Sequence, residues 1–162
     1  MGNRRTCAVG AALVTFALAS NAVGQQATQV VQFRVDAVSR MAVSGNPAPL
    51  VVSAAGAGDA LTSASGSTTT YAISTNESNQ KIVASLDQPM PTGTSLEVTL
   101  AAPSGASSRG VIGLATSGAD VVTGISTVAS SALPITYRLS ASPAAPIASA
   151  ARTVTFTIVS GT

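Results

Sequence analysis

Apolar and polar residues alternate along most of the chain. In residues 152–158, Val154, Phe156 and Ile158 are separated by threonines. Successive side chains of a β-strand point to opposite faces, whereas a helix would spread these apolar residues around its circumference. The same two-residue period marks three other segments, at residues 31–36, 94–100 and 134–140. The pattern therefore predicts four strands, each with one buried face.

Shorter runs of alternation predict further strands between these segments. Met41 and Val43 continue the first strand after a bend, and the other runs lie at residues 50–52, 69–75, 81–87, 111–114 and 121–125. Turn-forming residues separate the runs at spacings of about ten residues, as in sandwiches and barrels. We therefore expect an all-β fold of about eight or nine strands. The predicted architecture is a single antiparallel β-sandwich of immunoglobulin-like type, with a β-barrel as the alternative.

The apolar faces of the predicted strands define a predicted core. Its members are Val31, Phe33, Val35, Tyr71, Ile73, Ile82, Leu86, Leu96, Val98, Leu100, Ile135, Tyr137, Leu139, Val154, Phe156 and Ile158. Every aromatic residue after residue 24 belongs to this set. Sugar-binding sites commonly use exposed aromatic rings as stacking platforms. The core placement of these rings therefore disfavours a carbohydrate-binding module.

The beginning of the chain follows a different pattern. Arg4 and Arg5 precede an apolar run at residues 7–19, and small or polar residues follow that run. This order is typical of a secretory signal peptide. The run of 13 residues is shorter than the ~20 that span a bilayer, which disfavours a membrane anchor. We predict a cleaved signal peptide at residues 1–24 and a single β-sandwich domain at residues 25–162.

Cleavage would change the charge and the thiol content of the product. A cut after Gly24 is favoured, and a cut before Ser20 is the alternative. Either cut removes Arg4 and Arg5 from the eight cations, which leaves six cations against six anions and a net charge of zero. Cys7, the only cysteine, is lost as well, so no disulfide can form. The processed chain is expected neither to bind nucleic acid nor to insert into a membrane.

The residue types needed for most enzyme chemistry are missing after residue 24. The sequence there contains no histidine, cysteine or tryptophan, which removes the commonest general base, the thiol nucleophile and the preferred ligands of zinc, iron and copper. Ser78 and Lys81 match the S-x-x-K spacing of serine–lysine acyl enzymes. They lead into a predicted strand rather than a helix, and we interpret them as part of a polar turn.

These observations predict a protein that is not an enzyme. We predict no catalytic, cofactor-binding or metal-binding residues and no cofactor. One alternative stays open, a calcium ion held by aspartates in turns, although the spacing typical of an EF-hand loop is missing.

Two features favour a role in assembly or at a surface. The outward faces of the predicted strands are rich in threonine and serine, and Lys81 is the only lysine. Few charges therefore oppose the addition of one strand edge to another. A net charge of zero also does little to keep copies apart. We expect an exported, non-catalytic structural or cell-surface protein, secreted or periplasmic, whose partner is itself or another surface protein.

Two other functions remain open at this stage. The first is an extracytoplasmic ligand-binding or adhesion module, for which the ligand is unknown. The second is a filament or pilus-like subunit, in which the alternating segment at residues 31–36 would serve as a strand donated to a neighbour.

Overall fold

The computed structural model describes residues 25–161, apart from the side chains of Ser67 and Thr68. The predicted signal peptide at residues 1–24 lies outside the described residues. Of the described residues, 25–34 belong to one unit and 35–161 to a second. All strands of the described chain belong to the second unit.

The second unit is built from strands alone. They are β1 (Ser39–Val43), β2 (Ala64–Thr75), β3 (Gln80–Leu86), β4 (Thr94–Leu100), β5 (Ser107–Ser108), β6 (Ile112–Gly113), β7 (Ala119–Ile125), β8 (Val128–Ala141) and β9 (Val154–Ser160). One antiparallel sheet has the order β1-β2-β8-β4-β6, and the other has the order β5-β7-β3-β9. Residues 25–161 contain no helix. This architecture confirms the predicted all-β sandwich, and the sheets do not close into the barrel that was the alternative.

The core lies between the two sheets, and alternation produces it. In β3, Ile82, Ala84 and Leu86 are buried while the residues between them are partly exposed. The buried apolar residues are Tyr71, Ile73, Ile82, Ala84, Leu86, Val98, Leu100, Leu114, Val121, Val122, Ile125, Ile135 and Tyr137. Eight of these were predicted, and Leu96, Leu139, Val154, Phe156 and Ile158 are half-buried. Val121, Val122 and Ile125 on β7 were missed because two adjacent buried valines break the alternation.

The predicted first strand at residues 31–36 is wrong. Residues 25–38 form no strand, and Val31, Phe33 and Val35 are 73%, 90% and 79% exposed instead of buried. The first strand of the structure is β1, in which Ser39 pairs with Thr75, the last residue of β2. Residues before Ser39 therefore have no neighbouring strand in this sheet. Alternation describes the two faces of a segment, but a strand also needs a partner for its backbone.

A second prediction, of a short strand at residues 50–52, is also wrong. This stretch has no strand pairing, although Leu50 packs against the core and Val51 is exposed. Pro47 and Pro49 precede it, and a proline has no backbone N–H with which to join a ladder. Leu50 therefore packs against the core although it lies in a connecting segment and not in a strand.

Two central strands are longer than predicted. Strand β2 begins at Ala64 rather than near residue 69, and β8 begins at Val128 rather than at Pro134. The two strands pair with a change of register between Tyr71 and Ile73, opposite the positive φ of Ala132. This irregularity interrupts the two-residue period and hides the start of β8. The two-residue strand β5 was not predicted at all.

Candidate assembly surface

The structure places Ser78 and Lys81 in different elements. Ser78 lies in the connection between β2 and β3, while Lys81 lies on β3. The ammonium group of Lys81 forms an ion pair with Asp120 on β7 at 3.2 Å. The lysine therefore joins two neighbouring strands of the second sheet.

The carboxylates are distributed over separate places in the sandwich. Glu97 on β4 forms an ion pair with Arg138 on β8 at 3.5 Å. Asp87 accepts a hydrogen bond at 3.0 Å from the backbone N–H of Thr153, beside the start of β9. Within residues 25–161, no three histidine, cysteine, aspartate or glutamate side chains come together in a way that could hold a metal ion.

The described chain has a shallow surface depression at one end of the sandwich. It has a volume of about 490 Å³ and lies where β1, β2 and β8 meet. Most of the surface exposed in it belongs to apolar atoms. The lining residues are Val38, Ser74, Thr75, Asn76, Thr127, Val128 and Ala129. A second depression, beside Val43, has about 170 Å³.

Strand β9 forms one edge of the second sheet. It has seven residues, whereas β5 at the other edge has two. All seven of its residues pair with β3 on one side, from Val154 opposite Leu86 to Ser160 opposite Gln80. No strand of residues 25–161 pairs with its other side. The strand contains neither a charged residue nor a proline, the usual means by which edge strands are blunted. On this side the backbone groups of β9 therefore pair with no strand of the described chain.

The apolar face of β9 is incompletely covered. Three apolar side chains of β9 pack against the core but remain partly exposed: Val154, Phe156 and Ile158. On the other face, Thr155 and Thr157 are exposed. By comparison, Ile82 and Ala84 on the neighbouring strand β3 have no exposed surface. A strand beside β9 would cover apolar surface that the chain itself leaves in contact with water.

Strand β1 forms the edge of the first sheet next to β9. The two edge strands lie close to each other across the layers of the sandwich. On β1, Met41 is half-buried and Val43 is exposed. We call this side of the sandwich, formed by Ser39–Val43 and Val154–Ser160, the β1–β9 side. The opposite side ends in β5 and β6, which have two residues each and offer short ladders to a partner.

Asn76 fixes the chain just before β1. Its side-chain Oδ1 accepts a hydrogen bond from the backbone N–H of Val38 at 2.7 Å, and its Nδ2 donates to the carbonyl oxygen of Asp36 at 2.8 Å. The backbone N–H of Asn76 donates to the carbonyl oxygen of Val38 at 3.1 Å. The contacts hold residues 36–38 beside the end of β2, and no sequence motif indicated this role for Asn76.

The chain before β1 carries exposed apolar side chains. Val31, Phe33 and Val35 alternate along the segment and are exposed, Phe33 to 90%. A row of large apolar residues exposed on one face is unusual for a soluble domain and is typical of an interaction site.

Part of this surface could be predicted from the sequence. The apolar and threonine faces of β9 follow directly from its alternation, and so does the two-faced character of residues 31–35. The position of β9 at an edge depends on strand order, which local alternation does not encode.

Comparisons of the chain with protein-family models, curated proteins and solved structures found no match. Among residues 25–161, no helix has the length and apolarity needed to cross a membrane.

Proposed function

We propose that this chain is an exported, non-catalytic structural or cell-surface protein that self-associates through the β1–β9 side of its sandwich. The observation that supports this proposal best is the open edge of β9, seven residues long and uncharged. Addition of a strand to an exposed sheet edge is a common mode of protein recognition, in which backbone hydrogen bonds supply affinity.

Export is the second part of the proposal. It is supported by the order of basic, apolar and small residues in positions 1–24. The remaining chain contains no cysteine, so its stability does not depend on the redox state of the compartment that receives it. Absence of histidine and cysteine after residue 24 supports a role without catalysis.

The test combines processing and association. The full chain is expressed with its own N-terminus, and the product that accumulates is located by cell fractionation and its first residue identified by mass spectrometry. We expect an extracytoplasmic product that begins near Gln25 and whose mass, measured by size exclusion with light scattering, rises with concentration. A cytoplasmic, unprocessed product would contradict export, and a monomer at every concentration up to the solubility limit would contradict self-association.

One observation favours a ligand-binding or adhesion module as the second candidate. The depression beside Val38 and Val128 exposes mainly apolar surface, which a small apolar molecule would cover. Substitution of Ala129, which lines it, by tryptophan would fill this space. If the depression binds a ligand, a library of small molecules should raise the melting temperature of the natural protein and not that of Ala129→Trp. Equal shifts, or none, would count against this candidate.

A further inference from the structure

We infer that residues 29–35 of one copy add as an extra strand to the open edge of β9 in a second copy. This inference rests on the proposed self-association and specifies the segment and the edge that meet. Donor and acceptor are different segments of the chain, so the contact is heterologous and can repeat from copy to copy.

The donor segment has the pattern of a strand without the pairing of one. Val31, Phe33 and Val35 share one face, while Val30, Gln32 and Arg34 lie on the other. Phe33 is 90% exposed in the single chain, although burial of a phenylalanine side chain is strongly favourable. The segment therefore has an apolar face that a neighbouring sheet edge would cover, and it forms no strand within the described chain.

The acceptor matches the donor in the placement of its faces. Laid beside β9, the apolar face of the donor continues the row formed by Val154, Phe156 and Ile158 toward the half-buried Met41 on β1. The other face of the donor, which carries Gln32 and Arg34, then continues the outward face of β9, which carries Thr155 and Thr157. Burial of the apolar face is what fixes the register of an added strand.

The connection to β1 directs the donor to a second copy. Ser39 pairs with Thr75 and Ser160 pairs with Gln80, so β1 begins at the end of the sandwich where β9 finishes. To lie along its own β9, the segment would have to reverse direction immediately before β1. Residues 36–38, where this reversal would fall, are held by the hydrogen bonds to Asn76.

Substitutions on the two faces of the donor test the inference. We expect Phe33→Asp to raise the dissociation constant for self-association by about tenfold to a hundredfold, because a charge replaces a ring that must be buried. Val30→Asp is the matched control, since it introduces the same charge at an equally exposed position on the other face. It should associate within about threefold of the natural protein.

Substitutions on the acceptor test the edge. Thr155→Lys with Thr157→Lys places two charges on an exposed edge strand, which opposes strand addition. The control is Ser95→Lys, at an exposed position on β4, which has strands on both sides. We expect the double variant to be monomeric at concentrations where the Ser95→Lys variant associates.

A mixing experiment joins the two halves of the inference. The Phe33→Asp protein keeps an intact β9, and the Thr155→Lys/Thr157→Lys protein keeps an intact donor. Each alone should be monomeric, and their equimolar mixture should form a 1:1 heterodimer that grows no further.

The outcomes separate this inference from the proposed function. Self-association that is unaffected by Phe33→Asp, that is equally lost in Val30→Asp, or that survives the double lysine substitution overturns the inference and leaves the proposed self-association standing. Failure of the mixture to form a heterodimer overturns it too. A natural protein that stays monomeric at all concentrations overturns both.

Discussion

Tyr71 ties the core to a connecting segment by a polar contact inside an apolar environment. Its ring is buried on β2, and its hydroxyl donates a hydrogen bond to the carbonyl oxygen of Ala101 at 2.5 Å. Burial raises the pKa of Tyr71 from an ordinary value near 10 to about 12. Burial raises the pKa of Tyr137 as well. These are the two tyrosines of the chain, so the ionisation of both is coupled to folding.

This coupling predicts a loss of stability in alkali. The unfolded chain releases the Tyr71 proton near pH 10, whereas the folded chain holds it to about pH 12. Above pH 10 the unfolded state therefore binds fewer protons, and the free energy of unfolding falls as the pH rises toward 12. In Tyr71→Phe the fall should be shallower, and the free energy of unfolding at pH 7 should be lower by about 1 kcal/mol because the Ala101 carbonyl loses its donor.

Denaturant unfolding at a series of pH values between 7 and 12 measures both effects. Absorbance of the phenolate provides an independent check, because the folded protein has no exposed tyrosine to mask the signal. A phenolate midpoint at the ordinary pKa of tyrosine in the folded protein would contradict the raised pKa of both residues.

The strand β1 depends on a polar cluster at its first residue. The hydroxyl of Ser39 shares a hydrogen bond with Thr75 at 2.8 Å and donates to Glu77 at 2.6 Å. Asn76 binds the backbone on the preceding residues. A short edge strand of five residues gains little from its ladder alone, and side-chain contacts at its start fix where it begins.

Removal of the Asn76 side chain should loosen this start. We expect Asn76→Ala to lower the free energy of unfolding by about 1–2 kcal/mol, because two hydrogen bonds to the backbone are lost. The amide hydrogen of Val38 should exchange with solvent markedly faster, since its acceptor is the Asn76 Oδ1. Ser78→Ala, at an exposed position in the same connection, serves as the control and should leave exchange at Val38 unchanged. Equal protection of Val38 in both variants would contradict the role of Asn76.

Alternation predicted strands correctly where a segment pairs with a neighbouring strand, and wrongly where no neighbouring strand is present. The alternation of β3, β4 and β9 predicted their bounds to within two or three residues, because each strand pairs along its length and buries one face. Residues 31–35 alternate equally well, but β2 ends opposite Ser39 and offers them no partner. The candidate surface follows the same division, since its side-chain faces could be predicted and its edge position could not.

The topology of the sandwich joins distant parts of the chain. The last strand, β9, pairs with β3, so that Ser160 lies opposite Gln80, and β2 pairs with β8 across a comparable separation. Contacts of this kind form slowly, because closing a long loop lowers the entropy of the chain before the paired strands can form stabilising contacts. The second sheet cannot be completed until the end of the chain is available. Such late completion suits the proposed export, in which the chain would fold after it has crossed the membrane.

The dependence on β9 can be tested by truncation. Deletion of residues 151–162 removes three side chains that pack against the core and turns β3 into an edge, so we expect a chain without a cooperative melting transition. Deletion of residues 29–34 is the control, because it removes exposed residues that form no strand, and the melting transition should remain. Circular dichroism during heating compares the two. A cooperative transition in the chain that lacks β9 would show that the other strands form a stable sandwich without it.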